Sequence, residues 1–184
     1  MNKPVLVFCS CIKVFAPTKI SDPIIRKKHY VDSIKFFIAN SNIQRIIVVE
    51  NTNTNWIDEE ILTLAKKNKK LLEFILFEGD IDLAIKHSIG YSHFEMVYTA
   101  INNSKILNKI IAKTKLPIVF FCAGVAFGHD SLDLYKERFG NLPTDKVHFF
   151  DSLNIWDICN VISNAKLVIG TSLHVRILSQ QFLR

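Results

Sequence analysis

Glycine and proline are scarce, at six and five among 184 residues. That scarcity excludes collagen-like and low-complexity classes, which depend on those residues, and no Pro/Gly/Ser linker or internal repeat interrupts the chain. Cysteine is equally sparse. Its four residues, Cys9, Cys11, Cys122 and Cys159, have neither the density of a disulfide framework nor zinc-ligand spacing, so reduced, buried thiols and no metal are expected. Long apolar runs are missing too: Leu116–Val125 and Leu71–Phe77 fall far short of the roughly 20 residues that span a bilayer. The apolar start Pro4–Val14 is broken by Lys13 and lacks a small-residue cleavage site, so it reads as a buried strand, not a secretory signal. A cytoplasmic location is expected, with peripheral association at the inner membrane face open to a basic protein.

What is present points to a folded core. The chain is 49% hydrophobic and 22% charged, an ordinary globular balance. Its net charge of +6 suits anionic small molecules such as nucleotide-sugars, phosphoenolpyruvate or lipid-linked phosphates. Nucleic acid is not expected. The lysines are interspersed with acids, Lys66–Lys70 is the one dense cluster, and no stacking-aromatic motif accompanies it.

Apolar, β-branched runs alternate with longer amphipathic stretches, the pattern of βαβ units around a mostly parallel sheet. Strands are expected at Val5–Cys9, Arg45–Val49, Leu72–Phe77, Ile118–Cys122, Val147–Phe149 and Leu167–Ile169. Helices are expected at Asp22–Ala39, Asp58–Lys69, Phe94–Ala112, Ser131–Arg138, Ile155–Asn164 and Ser172–Phe182. Between Gly79 and His93, Asp82–His87 is helix-like and Ser88–Tyr91 turn-like. The fold class is therefore α/β, Rossmann-like, with about six strands. The least unlikely domain boundary is Lys113–Leu116, dividing the chain into 1–113 and 114–184, and one continuous domain is the alternative. The sequence ends at Arg184 inside a proposed helix without a capping glycine, which reads as a truncation.

The densest candidate site is Leu167-Val-Ile-Gly-Thr-Ser-Leu-His174. There a buried strand passes through Gly170 into Thr171 and Ser172, both good helix caps, and His174 follows. A helix start of this kind has unpartnered amides and a positive dipole end, so it can hold phosphate or carboxylate while the imidazole donates a proton. The plain alternative is that Thr171 or Ser172 only caps the helix and His174 is an ordinary histidine.

Asn154-Ile-Trp-Asp-Ile-Cys followed by Ile162-Ser-Asn-Ala-Lys-Leu-Val-Ile-Gly-Thr-Ser-Leu-His174 resembles the carboxyl-terminal signature of polysaccharide pyruvyl transferases. Gly124-Val-Ala-Phe-Gly-His-Asp130 resembles an earlier motif of that family. The resemblance covers about residues 116–184. It implies part of a two-lobed GT-B-type fold and transfer of a pyruvyl group from phosphoenolpyruvate to a sugar in bacterial surface-polysaccharide synthesis. His174 is then the acid, Gly170, Thr171 and Ser172 hold the donor's anionic groups, and Arg176, Gly128 and His129 are further candidate contacts. Val175 stands where the family usually has glycine, and Asp130 or Ser131 could equally cap a helix.

The amino-terminal part resembles bacterial capsule and lipopolysaccharide glycosyltransferases. It has an early Arg26 and Tyr30, a strand Ile46-Ile-Val-Val-Glu-Asn51, and Ile89-Gly-Tyr-Ser-His-Phe-Glu95 before a helix. That resemblance implies a nucleotide-sugar donor, a saccharide or lipid-linked saccharide acceptor, and Glu50, Asn51 and Glu95 as site residues. Alternatively Glu50 and Asn51 only end a strand, and Glu95 only favours a helix start. No bound cofactor is expected in either case. A third reading is a non-catalytic remnant or binding module, stabilised by association with another copy or subunit.

Overall fold

The computed structural model describes residues 5–14, 20–87, 89–114, 117–121, 133, 136–137 and 147–165. The chain divides into two compact units, Met1–Asn108 and Lys109–Arg184. In the first, three apolar runs form β1 (Val5–Ser10), β2 (Arg45–Glu50) and β3 (Leu71–Leu76). They pair in parallel in the order β1-β2-β3, with Ser10, Glu50 and Leu76 level at the carboxyl ends. Ile46, Ile47, Val48 and Val49 of the central strand are fully buried. A parallel strand covered on both faces has no solvent side, which is why its sequence is apolar throughout instead of alternating.

Two helices cover one face. The first, α1 (Pro23–Asn40), starts where Asp22 accepts hydrogen bonds from the Ile24 and Ile25 amides and Pro23 pre-sets the first turn. The second, α2 (Glu59–Lys67), is capped by Asp58, which accepts from Ile61 N, and carries acids in its first turn and lysines in its last. Ile34 and Ile38 of α1 and Ile61 and Ala65 of α2 join Ile46, Val48, Ile12 and Trp56 in one core. Each fully buried isoleucine there contributes about 1.5–3 kcal/mol. Helix α4 (Ile89–Asn103), which follows the short α3 (Ile81–His87), packs on all three strands. Its Met96 and Ala100 are buried, and strand alternation turns Ile47 and Val49 away from the α1 and α2 side.

In the second unit β4 (Ile118–Phe121) and β5 (Val147–Phe150) pair in parallel, and α6 (Ile155–Asn164) buries Ile158 and Ile162 beside Phe121 and Phe150. Asn154 caps α6 by accepting from Trp156 N. The unit division falls inside α5 (Lys105–Thr114).

The architecture is α/β, with a three-stranded parallel sheet and flanking helices. Among the described residues the expected six strands are five, three in one sheet and two in another. The strand expected at Leu167–Ile169 and the helix at Ser172–Phe182 lie outside the described residues. Of the helix expected at Ser131–Arg138 only residues 133, 136 and 137 are described, and they are helical.

Two expectations are corrected. The helix foreseen as Phe94–Ala112 is two helices, because Ser104 ends α4 and caps α5. Its hydroxyl accepts from Leu107 N at 3.1 Å and donates to Glu73 of β3 at 2.5 Å. Glu73 also accepts from the Lys105 and Ile106 amides, so a carboxylate from the sheet fixes the new helix start. Residues 89–91, foreseen as a turn, belong to the first turn of α4 instead. Gly90 is tolerated there because buried Tyr91 and Met96 anchor the helix to the sheet.

Candidate functional site

In open parallel sheets ligands bind beyond the carboxyl ends of the strands, where the loops turn away. Here that edge is built by the residues following β1, β2 and β3. Glu50 closes β2 with a carboxylate that is fully buried. Its Oε1 accepts from Ile12 N at 3.1 Å and Thr52 Oγ1 at 2.6 Å. Its Oε2 accepts from Thr52 N at 3.0 Å and Thr54 N at 2.7 Å. Four donors thus compensate one buried charge and tie the loop after β1 to the turn after β2. Within that turn Asn53 has a positive φ of 49°, a conformation asparagine tolerates better than most residues.

A second set of bonds holds the same loop from α1. Arg26 donates through Nε to Cys11 O at 2.7 Å, through Nη1 to Ile20 O at 3.0 Å, and through Nη2 to the Tyr30 hydroxyl at 2.8 Å. The guanidinium therefore joins both ends of the 11–20 segment. Tyr30 also accepts from Cys11 N at 3.3 Å. Its ring stacks on Trp56 at 5.9 Å, and Trp56 meets Phe74 edge-on at 5.7 Å. Trp56 Nε1 donates to Ser10 Oγ at 3.1 Å. An aromatic platform thus supports the strand ends from below, each such pair contributing about 0.5–1.5 kcal/mol beyond burial.

Burial pushes the Cys11 thiol above its usual value, with Arg26 opposing and Glu50 reinforcing the shift. Burial likewise raises Tyr30, against the pull of Arg26 and its hydrogen bonds. Both groups stay neutral at physiological pH. Cys11 is consequently a poor nucleophile, because the thiolate is the reactive form.

Asn51 follows Glu50 and is 3% exposed. Its backbone is engaged on both sides, the amide donating to Ser10 O at 3.3 Å and the carbonyl accepting from Gly79 N at 2.9 Å. Its side-chain Oδ1 is buried and has no partner. Glu95, from α4, reaches the same place and accepts from Asp80 N at 3.1 and 3.2 Å. Gly79 sits between them. A Cβ there would lie 3.0 Å from Glu95 Oε2, 3.1 Å from Asn51 O and 3.4 Å from Asn51 Cβ, so any side chain at this position would be tightly placed and its neighbours would have to give by a few tenths of an ångström.

Of the residues foreseen for the glycosyltransferase-type site, Asn51 and Glu95 therefore meet at Gly79, next to the turn that Glu50 organises. Gly79, Asp80, Thr52 and Thr54 were not foreseen. The short polar run Asn51-Thr-Asn-Thr-Asn55 after an apolar strand is the signal for the Glu50 cage. Nothing in the sequence marks Gly79 as more than a turn. His174, Gly170, Thr171, Ser172, Arg176, Gly128 and His129 lie outside the described residues. Among the described residues no three His, Cys, Asp or Glu side chains converge as a metal site, and no helix is long and apolar enough to cross a membrane.

The edge as a whole brings together a buried amide oxygen without a partner and a carboxylate that accepts from the Asp80 amide, on strand ends whose carbonyls bond to neighbouring amides. No family model matches the chain, and neither a curated protein nor a solved structure matches it.

Proposed function

We propose that the chain is a transferase of bacterial surface-polysaccharide synthesis. Its amino-terminal unit would bind a nucleotide-activated sugar or a saccharide acceptor at the carboxyl edge of the parallel sheet. The observation that carries this reading is the meeting of Asn51 and Glu95 at Gly79, at the edge where α/β sheets take ligands. In this reading Glu95 accepts the proton of an attacking sugar hydroxyl, and Asn51 orients the sugar by hydrogen bonding. Glu50 keeps the turn in place from its cage. A GT-B-type two-lobed arrangement belongs to the same proposal. The basic balance of the chain, +6 overall, suits a diphosphate-bearing donor.

A second reading, pyruvyl transfer from phosphoenolpyruvate, rests on the sequence motif Gly170–His174, with Ser172 at the helix start and His174 as acid. Ligand-induced thermal stabilisation separates the two, since a ligand that binds only the folded chain raises its melting temperature. Uridine and cytidine mono- and diphosphates are compared with phosphoenolpyruvate on the unmodified chain, Glu95→Gln and His174→Ala. A nucleotide shift reduced in Glu95→Gln and kept in His174→Ala supports glycosyl transfer. A shift with phosphoenolpyruvate that vanishes in His174→Ala moves the assignment to pyruvyl transfer. No shift with any of these ligands rejects both and leaves a non-catalytic binding module.

A further inference from the structure

A helix that covers a sheet normally turns its apolar residues inward and its charges to solvent. Helix α1 does the first through Ile34 and Ile38, both fully buried, but not the second. On its outer side Ile25 is 46% and Phe36 63% exposed, and Ile24, next to Ile25, is 80% exposed. Between Ile25 and Phe36 the same line carries His29 and Asp32, both exposed, with exposed Lys28 beside His29. Steps of four, three and four from Ile25 through His29 and Asp32 to Phe36 keep these residues on one helix face, about 17 Å from end to end. Lone apolar residues on a surface are ordinary, but two in line on one rigid helix form a patch.

The order along that face is apolar, basic, acidic, apolar. Turned end for end, the face is its own complement: Ile25 lies opposite Phe36, and His29, with Lys28 one step away, lies opposite Asp32. A two-fold axis brings one patch of two identical chains together in this way, residue i meeting j while j meets i. Lys35, on the flank, is bonded to Glu60 of α2 at 2.6 Å, whereas among the described residues Lys28, His29 and Asp32 take part in no ion pair. An anionic membrane surface suits the face less well, because Asp32 at its centre would meet like charge.

We infer that the outer face of α1 is a self-association surface, on which a second copy of this chain packs its own α1 antiparallel in a two-fold dimer. Ile25 and Phe36 cover one another at the two ends, and Asp32 of each copy faces Lys28 and His29 of the other at the centre. The inference is independent of the transferase reading. A helix about 27 Å long and about 10 Å across offers less than the roughly 800 Å² per partner of a standard interface, even with exposed Leu62 of the adjoining α2. The dimer is therefore reversible, with a dissociation constant of about micromolar or weaker.

Sedimentation velocity of the full chain at rising concentration is the test, with phosphatidylglycerol vesicles as a separate arm. The unmodified chain should pass from monomer to dimer. Phe36→Asp should weaken association by at least about tenfold and leave the melting temperature of the monomer nearly unchanged, since the residue is exposed. Two charge variants read the centre of the face. Asp32→Lys makes it wholly basic, and Lys28→Glu combined with His29→Glu makes it wholly acidic. Each should be monomeric alone, because like charges meet, and an equimolar mixture should form a mixed dimer in which the facing charges are again opposite.

Association restored only in the mixture supports the inference, and a folding defect could not produce it. An unmodified chain that stays monomeric at every concentration overturns the inference. So do charge variants that dimerise alone as well as the unmodified chain does, and monomeric variants whose mixture does not pair. Vesicle binding by a chain that does not self-associate overturns it too and assigns the face to a membrane.

Discussion

At the scale of single residues, the contrast between Glu50 and Asn51 organises the site. They are adjacent and both buried, yet one accepts four hydrogen bonds and the other has a side-chain oxygen with none. The first is therefore a structural charge and the second an unused acceptor. Glu50→Gln is expected to be costly despite its equal shape. One carboxylate oxygen becomes an NH2 group: in place of Oε2 it faces two amide donors, and in place of Oε1 it faces the Ile12 amide while the Thr52 hydroxyl can turn to accept from it. Each oxygen serves a pair, Ile12 N with Thr52 Oγ1 or Thr52 N with Thr54 N. The second orientation is the less costly and leaves one buried amide unpaired, at about 1–3 kcal/mol, so denaturant unfolding should show a loss of roughly 1–3 kcal/mol. A loss below about 1 kcal/mol would mean that the cage is not needed to hold the turn. The sequence made Glu50 and Asn51 visible because an acid and an amide ending an apolar strand interrupt its pattern. It hid the difference between them, since that depends on amides from the loop at Ile12 and on the turn geometry at Thr54. Gly79 was hidden for a related reason. A glycine between strand and helix reads as a turn, whereas the close approach of Glu95 and Asn51 around it is made by residues distant in sequence.

At the scale of elements, periodicity and composition found most of the structure, and the errors have local physical causes. The strands of the first sheet were legible because buried parallel strands are continuous apolar runs, and their observed limits differ from the expected ones by a single residue. Helix α6 was legible to its ends, since Asn154 caps it and the buried Ile158 and Ile162 lie four apart. The break between α4 and α5 was not legible, because Ser104 is unremarkable inside an amphipathic pattern until Glu73 arrives from β3 to bond it. The end of α2 offers a direct test of such local control. Lys69 N donates to Lys66 O and Lys70 N to Ala65 O, the pair of bonds that closes a helix through a left-handed residue, and Lys69 has a φ of 54°. A side chain pays a penalty there that glycine avoids. Lys69→Gly should raise stability by about 0.5–1 kcal/mol in denaturant titration, the relief of the left-handed strain exceeding the added freedom of the unfolded chain. A loss of stability would show that the lysine side chain contributes something beyond its backbone conformation.

At the scale of the whole molecule, the two units differ in how much core each shows among the described residues. In the first, one cluster runs from Ile12 through Ile34, Ile38, Ile46, Val48, Trp56 and Ile61 to Ala65, with Leu6, Phe8, Leu72 and Phe74 packed against it. Every member lies within Met1–Asn108. The site at Asn51, Gly79 and Glu95, with its buttress from Arg26 and Tyr30, lies wholly within that unit as well. The bonds that start α5, from Glu73 to Ser104, Lys105 and Ile106, and the buried Leu107 tie that helix to the same sheet. A fragment should therefore keep α5 entire and end after Thr114. About a hundred residues around a single core is a usual size for independent folding. Residues 1–114 expressed alone are expected to unfold in one cooperative transition, with fluorescence of Trp56 and far-ultraviolet circular dichroism changing together. Trp56 is the fragment's single tryptophan, buried among Phe8, Tyr30 and Phe74, so its emission reports the core beneath the site. Coincident transitions would make the sheet edge a self-sufficient binding unit, and any ligand that stabilises the full chain through Asn51 should stabilise the fragment by the same margin. Separate transitions, or a fragment with secondary structure but a solvent-exposed Trp56, would mean that Lys109–Arg184 is needed to complete the fold that carries the site.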